Sequence, residues 1–247
     1  IGRLAETLTA SLVSRGVQVR LDSTVRALDR VGERWRLVVG SAASPAILDA
    51  DGVVVAVPAA PASRLLAATV PAAAAELAVI DYASMAIVTF AFSASALAKP
   101  FDGSGFLVPA VEGRLIKAAT FSSVKWGWYP KAITMVRCSI GRHRDVADLQ
   151  RSDDELIAGA LHDLAAAVGV SATPVDATVT RWGGGLPQYA VGHLDRVARI
   201  KAAVAEVDRG GLAICGAAYD GVGIPACISS GRGAATQLLL RFFGERQ

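Results

Sequence analysis

The stretch that most restricts the fold is Leu212-Ala-Ile-Cys-Gly-Ala-Ala-Tyr-Asp-Gly-Val-Gly-Ile-Pro-Ala-Cys-Ile-Ser-Ser-Gly-Arg232. Leu212 to Cys215 reads as a short buried strand, and a glycine-rich turn follows it. A helix then begins around Pro225, because proline lacks an N–H that the first helical turn would leave unused. Strand, turn and helix in this order aim backbone N–H groups and the positive end of a helix dipole at one point, which suits an anionic or electron-rich ligand group. An ordinary tight turn has the same spacing, and on spacing alone it is slightly favoured over a ligand cradle. Gly221-Val-Gly-Ile-Pro-Ala226 also satisfies G-x-G-x-x-A. That dinucleotide fingerprint needs a second strand ending in an acidic residue about twenty positions on. The pattern instead stays helical through Leu238-Leu-Leu-Arg-Phe-Phe243, so a Rossmann reading of these glycines fails.

Upstream, Leu4, Leu8 and Leu12 fall on one helical face before Gly16, which predicts a helix over Gly2 to Arg15 with a glycine cap. Val17 to Leu21, Thr24 to Leu28 and Arg34 to Val39 predict a meander of three strands. Asp51 to Pro58 predicts an apolar strand buried on both faces, and Pro61 to Ala78 an alanine-rich helix. From Met85 the pattern turns to longer strands at Ala86 to Phe92, Lys117 to Phe121 and Ile133 to Ile140. Ser152 and Glu155 form a capping box for a helix over Asp153 to Val168. Ala177 to Trp182 predicts a further strand, followed by a loop through Gly183-Gly-Gly185 and a helix over Ala190 to Val207.

The hydrophobic content of 53% and mean hydropathy of +0.43 are ample for a large core. No apolar run reaches the length of a membrane span and no secretory leader pattern is visible, which leads to the expectation of a cytoplasmic location. Cys138, Cys215 and Cys227 sit far apart in apolar contexts and read as buried thiols. His143, His162 and His193 have no metal-ligand spacing. A net charge of +3 with scattered Lys and Arg does not point to nucleic acid. It suits a carboxylated substrate or peripheral contact with an anionic membrane, or simply a solvated basic surface.

Gly216-Ala-Ala-Tyr-Asp-Gly-Val-Gly-Ile-Pro-Ala-Cys-Ile-Ser-Ser-Gly-Arg232 resembles the C-terminal flavin motif of the oxygen-dependent protoporphyrinogen and coproporphyrinogen oxidases of haem biosynthesis. Thr180-Arg-Trp-Gly-Gly-Gly-Leu-Pro-Gln-Tyr-Ala-Val-Gly-His193 resembles the family's Arg-Trp signature, and Leu4 to Ala27 its helix and paired strands. Ser104-Gly-Phe-Leu-Val-Pro109 is similar to its pocket-lining strand, and Phe121 to Trp126 to its Gram-positive type. The resemblance implies FAD contacts at Val25, Trp182, Val222, Gly223 and Ile224, and porphyrinogen contacts at Gly105 and Leu107. Trp182 at a strand end is, on composition alone, more often core than cofactor wall. Lys125, Arg137 and Arg181 can each meet a substrate propionate, although for any one of them a solvated surface cation is the commoner role.

The implied fold is mixed α/β and α+β. It comprises part of a Rossmann-like, glutathione-reductase-type FAD domain lacking its N-terminal G-x-G-x-x-G half, at residues 1–60 and 187–247, and a substrate domain with a largely antiparallel mixed sheet at 61–186. The implied activity is oxidation of coproporphyrinogen III or protoporphyrinogen IX with O2 as acceptor, giving H2O2. The Gram-positive type favours coproporphyrinogen III. The chain reads as a fragment, inactive alone or completed by another chain. The cofactor would carry the chemistry, which agrees with the lack of a nucleophile–base pair. Other readings are an amine oxidase or phytoene desaturase relative, and a noncatalytic porphyrin-binding module.

Overall fold

A computed structural model describes residues 2–208 and 211–244. It divides into two compact units, one of residues 1–80 with 191–247 and one of residues 81–190.

The first unit opens with helix α1 (Gly2–Ser14), which Gly16 ends at φ +83°. Three strands follow as an antiparallel meander: β1 (Val25–Val31), β2 (Arg34–Ser41) and β3 (Ser44–Ala50), in the order β1-β2-β3. The expected strand over Val17 to Leu21 is absent. Its alternating Val17, Val19 and Leu21 are exposed and meet no partner strand, and the third strand of the meander is β3 instead. Strand β4 is only Val53–Val55, and Val54 is 37% exposed, so the strand is not buried on both faces. Two helices follow, α2 (Ala59–Leu66) and α3 (Pro71–Ala78), where one was expected. Pro71 cannot continue a helix from α2, since its ring would clash with the carbonyl four residues back, and it starts α3 instead. Both helices bury Ala62, Leu66, Ala73 and Leu77 within the first unit. Both helices belong to the compact unit that runs to residue 80.

The second unit is a five-stranded sheet with helix α5 on one face. Its strands are β5 (Tyr82–Ser93), β6 (Gly105–Leu107), β7 (Ile116–Phe121), then short helix α4 (Ser122–Lys125), β8 (Ile133–Ile140), α5 (Asp153–Val168) and β9 (Asp176–Pro187). All neighbours are antiparallel in the order β6-β7-β8-β5-β9. Alternation places Ala86, Val88, Phe90 and Phe92 of β5 and Val136, Cys138 and Ile140 of β8 on the side of α5, where Leu156, Ala160 and Leu164 pack against them. Each large side chain buried here contributes about 1.5–3 kcal/mol. The capping box forms as expected, Ser152 Oγ accepting from the Glu155 N–H and Glu155 from the Ser152 N–H. Asp163 of α5 is buried, accepts from the Ile116 N–H at 3.1 Å and pairs with Arg114 at 3.5 Å, which ties α5 to β7. The glycines at 183–185 lie inside β9 and not in a loop, with the Gly184 N–H donating to Ser84 Oγ at 2.9 Å.

The chain returns to the first unit through α6 (His193–Asp208), β10 (Leu212–Ile214) and α7 (Ile224–Phe243). Strand β10 pairs in parallel with β4, Ile214 opposite Val55. Helix α6 packs on α3, and Glu76 joins them by accepting from Arg196 and Arg199. Of the cysteines, Cys138 and Cys215 are buried, while Cys227 is half-buried.

Candidate functional site

Because β4 and β10 run parallel, their carboxyl ends share one edge of a two-stranded sheet. Ligands of α/β folds gather at such an edge. From β10 the chain enters the turn at residues 216–223, and its geometry is fixed from several sides. Tyr219 is 1% exposed, and its carbonyl oxygen accepts from the His193 ring N–H at 3.2 Å. Asp220 accepts from Lys201 at 2.7 Å. The Gly216 N–H donates to Ser230 Oγ of α7 at 3.2 Å. Gly221 has φ +143°, and a Cβ there would stand 2.8 Å from Ala226 Cβ, so only glycine fits. The turn then delivers Gly223 as the N-cap of α7 with Pro225 in its first turn.

The tip of this anchored turn faces outward. Val222 and Ile224 are 47% and 41% exposed, and a Cβ on Gly223 would meet nothing nearer than Pro225 Cδ at 3.8 Å. Gly223, the N-cap, has no side chain to cap the first N–H groups of α7. A rigid turn, uncapped helix N–H groups and a missing side chain together form a cradle for an electron-rich group.

Val25 begins β1, the outer strand of its sheet. The Thr24 carbonyl accepts from the Gly40 N–H at 2.9 Å. In a trans peptide the C=O and following N–H point oppositely, so the Val25 N–H is directed away from β2. It lines a cavity of about 650 Å³ with Arg26, Val53, Val55, Val57 and Arg64, within the size range of small-molecule sites. Since Val55 and Val57 lie at the carboxyl end of β4 and just beyond it, the cavity opens at that edge. Arg64 gave no sequence signal, because nothing in the α2 pattern separates a lining arginine from a solvated one.

The remaining candidates lie in the second unit. Gly105 and Leu107 stand on edge strand β6, opposite Thr120 and Ala118 of β7. Gly105 has φ +141°, and Leu107 is 83% exposed. Trp182 on β9 is opposite Met85 and 56% exposed. Following the registers across the sheet, Gly105, Leu107, Thr120, Arg137, Thr89, Met85 and Trp182 all belong to the face opposite α5.

The three cations separate. Arg181 is on the α5 side, where it donates to Asp153 and to the Arg151 and Leu149 carbonyls, so it is spent on structure and is withdrawn as a propionate partner. Lys125 lies over the Trp126 ring at 5.7 Å. Arg137 is on the open face, flanked by Thr89 and Thr120.

Residues 1–239 match the model of the flavin containing amine oxidoreductase family. The chain is 39% identical over 230 residues to a coproporphyrinogen III oxidase of Mycobacterium leprae, covering 91% of this chain and 48% of that protein. It is 30% identical to a protoporphyrinogen oxidase of Bos taurus, covering 96% and 50%. A crystal structure assigned as a protoporphyrinogen oxidase, from Exiguobacterium sp. 255-15, superposes with TM-score 0.79 at 29% identity, covering 94% of this chain and 51% of that one. A putrescine oxidase structure shares the fold at TM-score 0.71 and 15% identity. The chain thus spans about half the length of the relatives it matches.

Proposed function

Because this chain belongs to the flavin containing amine oxidoreductase family, we propose that it is part of an FAD-dependent porphyrinogen oxidase of haem biosynthesis, acting on coproporphyrinogen III. The observation that supports this best is the anchored turn whose open tip, Val222 to Ile224, sits on the uncapped start of α7. The part proposed is the one lacking the N-terminal G-x-G-x-x-G half of the FAD domain. The naming of the Mycobacterium leprae relative supports coproporphyrinogen as substrate over protoporphyrinogen.

The residues present fit FAD. Val25 offers an N–H toward a cavity of suitable size, and the turn offers backbone donors where a side chain would obstruct. When bound, FAD supplies hydride acceptance from the porphyrinogen and is reoxidised by O2, giving H2O2. The helix dipole and N–H groups at the start of α7 would stabilise negative charge on the reduced ring. His193 and Lys201 hold the turn in place through Tyr219 and Asp220. Trp182 would supply an apolar wall, and Gly105 and Leu107 a surface for the substrate ring. Peripheral contact with an anionic membrane is part of the proposal. Between β7 and β8, Trp126 and Trp128 are exposed, Trp128 stacks on Tyr129 at 4.0 Å, and Lys125 and Lys131 flank them.

The test is titration of the chain with FAD, read by flavin fluorescence, and with coproporphyrin III, read by its Soret band. Flavin quenching that Gly223→Val abolishes, with an unchanged circular dichroism spectrum, is expected. Flavin quenching that Gly223→Val leaves unchanged would refute the turn as the flavin cradle, and porphyrin binding indifferent to added FAD would favour a noncatalytic porphyrin-binding module.

A further inference from the structure

The open face of the five-stranded sheet has a particular make-up. Its strands present Leu107, Met85, Ile87, Met135 and Trp182 as apolar positions, with the hydroxyls of Thr89, Thr120 and Ser139 between them. At its centre stands one cation, Arg137 of β8, exposed and with β7 and β5 on either side. Neighbouring strands are about 4.8 Å apart, so the Thr89 and Thr120 hydroxyls flank the base of the Arg137 side chain. No hydrogen bond or ion pair to Arg137 occurs among the described residues of this unit. The acid on the same face, Asp176, begins β9 opposite Ala91, two strands away, and does not pair with it.

On the other face Arg181 folds onto the Asp153 carboxylate and onto backbone carbonyls. Arg137 instead keeps its planar donor fork outward over an apolar, hydroxyl-rimmed floor. That fork matches a carboxylate bidentately, whereas a flat apolar ring suits the surrounding Leu107, Met85 and Trp182. From Arg137, Trp182 is four residues along and two strands across, roughly 16 Å. A tetrapyrrole with extended side chains covers that span.

We propose that Arg137 reads a propionate of the tetrapyrrole substrate, with Thr89 and Thr120 as additional hydroxyl donors, and so sets the preference of this face for a carboxylated ring over an esterified one. The assignment rests on the porphyrinogen reading above. It concerns recognition only, so no bond is made or broken by Arg137.

The experiment measures the affinity of the chain for coproporphyrin III and for its tetramethyl ester by fluorescence quenching, for the unaltered protein, Arg137→Gln and Arg137→Lys. Removing a charge-assisted pair should weaken coproporphyrin binding about tenfold in Arg137→Gln. Arg137→Lys should retain most of the affinity, ester binding should be indifferent to all three, and the salt dependence of the unaltered protein should flatten in Arg137→Gln. If coproporphyrin binds the unaltered protein and Arg137→Gln alike, Arg137 is not the reader, while the porphyrinogen reading stands. If the unaltered protein binds neither porphyrin, the porphyrinogen reading itself falls, and Arg137 with it. A parallel titration with protoporphyrin locates the contact. A loss confined to coproporphyrin assigns Arg137 to a propionate that protoporphyrin lacks, and an equal loss assigns it to a shared one.

Discussion

Gly105→Ala is the sharpest perturbation of the open face. The backbone at Gly105 has φ +141°, and an added Cβ would overlap the Ala119 carbonyl oxygen and approach Thr120 Cα to 3.0 Å. Both neighbours are backbone, so no rotamer change relieves the overlap. The unusual φ alone costs about 1–3 kcal/mol, and the overlap adds to it. Strand β6 is held by three residue pairs with β7, by flanking bonds from Phe121 N–H to Ser104 and from Val108 N–H to Lys117, and by the Phe106 ring against Phe121. At about 0.5–1.5 kcal/mol net for each bond and a similar sum for the ring pair, roughly 3–5 kcal/mol keeps β6 in place. Strain of the same size is relieved most cheaply by release of this short edge strand, not by unfolding of the sheet. Hydrogen exchange should therefore show the Val108 and Phe121 amides accelerating by about a hundredfold or more. Amides of β5 and β8 should hold their protection, and coproporphyrin binding should fall as Leu107 leaves the face. Gly103→Ala is the control, since Gly103 also has positive φ but open space around it. It should cost about 1 kcal/mol and leave those two amides protected. Unchanged exchange at Val108 and Phe121 in Gly105→Ala would refute the described geometry of β6.

Two further outcomes are expected. The Arg199 and Arg196 guanidiniums hold the Glu76 carboxyl below the usual carboxylate range, chiefly through the Arg199 hydrogen bond, so its stabilising effect is full above that range and is lost as pH falls through the lowered value. Glu76→Gln should flatten the acid limb of the thermal midpoint against pH, and parallel curves for the two proteins would contradict the bridge between α3 and α6. In sedimentation with vesicles, the chain should bind phosphatidylglycerol-containing bilayers and not phosphatidylcholine alone, and a Trp126→Ala, Trp128→Ala variant should lose that binding; retention by the variant would eliminate the aromatic loop as the contact.

Legibility in the sequence followed how local the determining interaction is. Ser152 and Glu155 are three residues apart and satisfy one another, so α5 was predictable to its first residue. The break between α2 and α3 was equally local, since Pro71 enforces it, but the continuous alanine pattern hid it. Strand failures have a different origin. Val17, Val19 and Leu21 alternate as a strand should, yet a strand exists only where a partner supplies hydrogen bonds, and that partner is not encoded nearby. Conversely, Gly183 to Gly185 carry no side-chain alternation at all, and β9 continues through them between its β5 pairs at Trp182 and Leu186, the Gly184 N–H being held by Ser84 Oγ. The flavin turn was legible because its constraints are backbone ones: Gly221 and Pro225 announce themselves. His193, which anchors Tyr219 from 26 positions away, was visible only as part of a resemblance.

The candidate substrate face shows the limit most clearly. Arg137 and Arg181 both stand in β-patterned segments, and as sequence they are equivalent carboxylate partners. Their fates are decided by register. A shift of one residue would exchange the faces of a strand, and the register is regular through Arg137 and Trp182, with irregularities lying beyond those runs, between Ile116 and Ala118 of β7 and between Ala83 and Met85 of β5. The regular run from Met85 to Ala91 puts Trp182 opposite Met85 and its neighbour Arg181 opposite Ala86, so that Trp182 faces out while Arg181 turns inward to Asp153. The regular run that follows the first irregularity, from Ala118 to Phe121, puts Ala118 opposite Ser139 and Thr120 opposite Arg137, which carries Gly105 and Leu107 of β6 onto the same open face. The second irregularity is marked by Gly183 to Gly185, the β9 residues between Trp182 and Leu186 that have no β5 partner in the register, whereas the first has neither glycine nor proline. The gathering of Leu107, Arg137 and Trp182 on one surface is thus a property of how the strands pair, and a variant that slipped the β5–β9 register by one residue should exchange the environments of Arg181 and Trp182 without altering either residue.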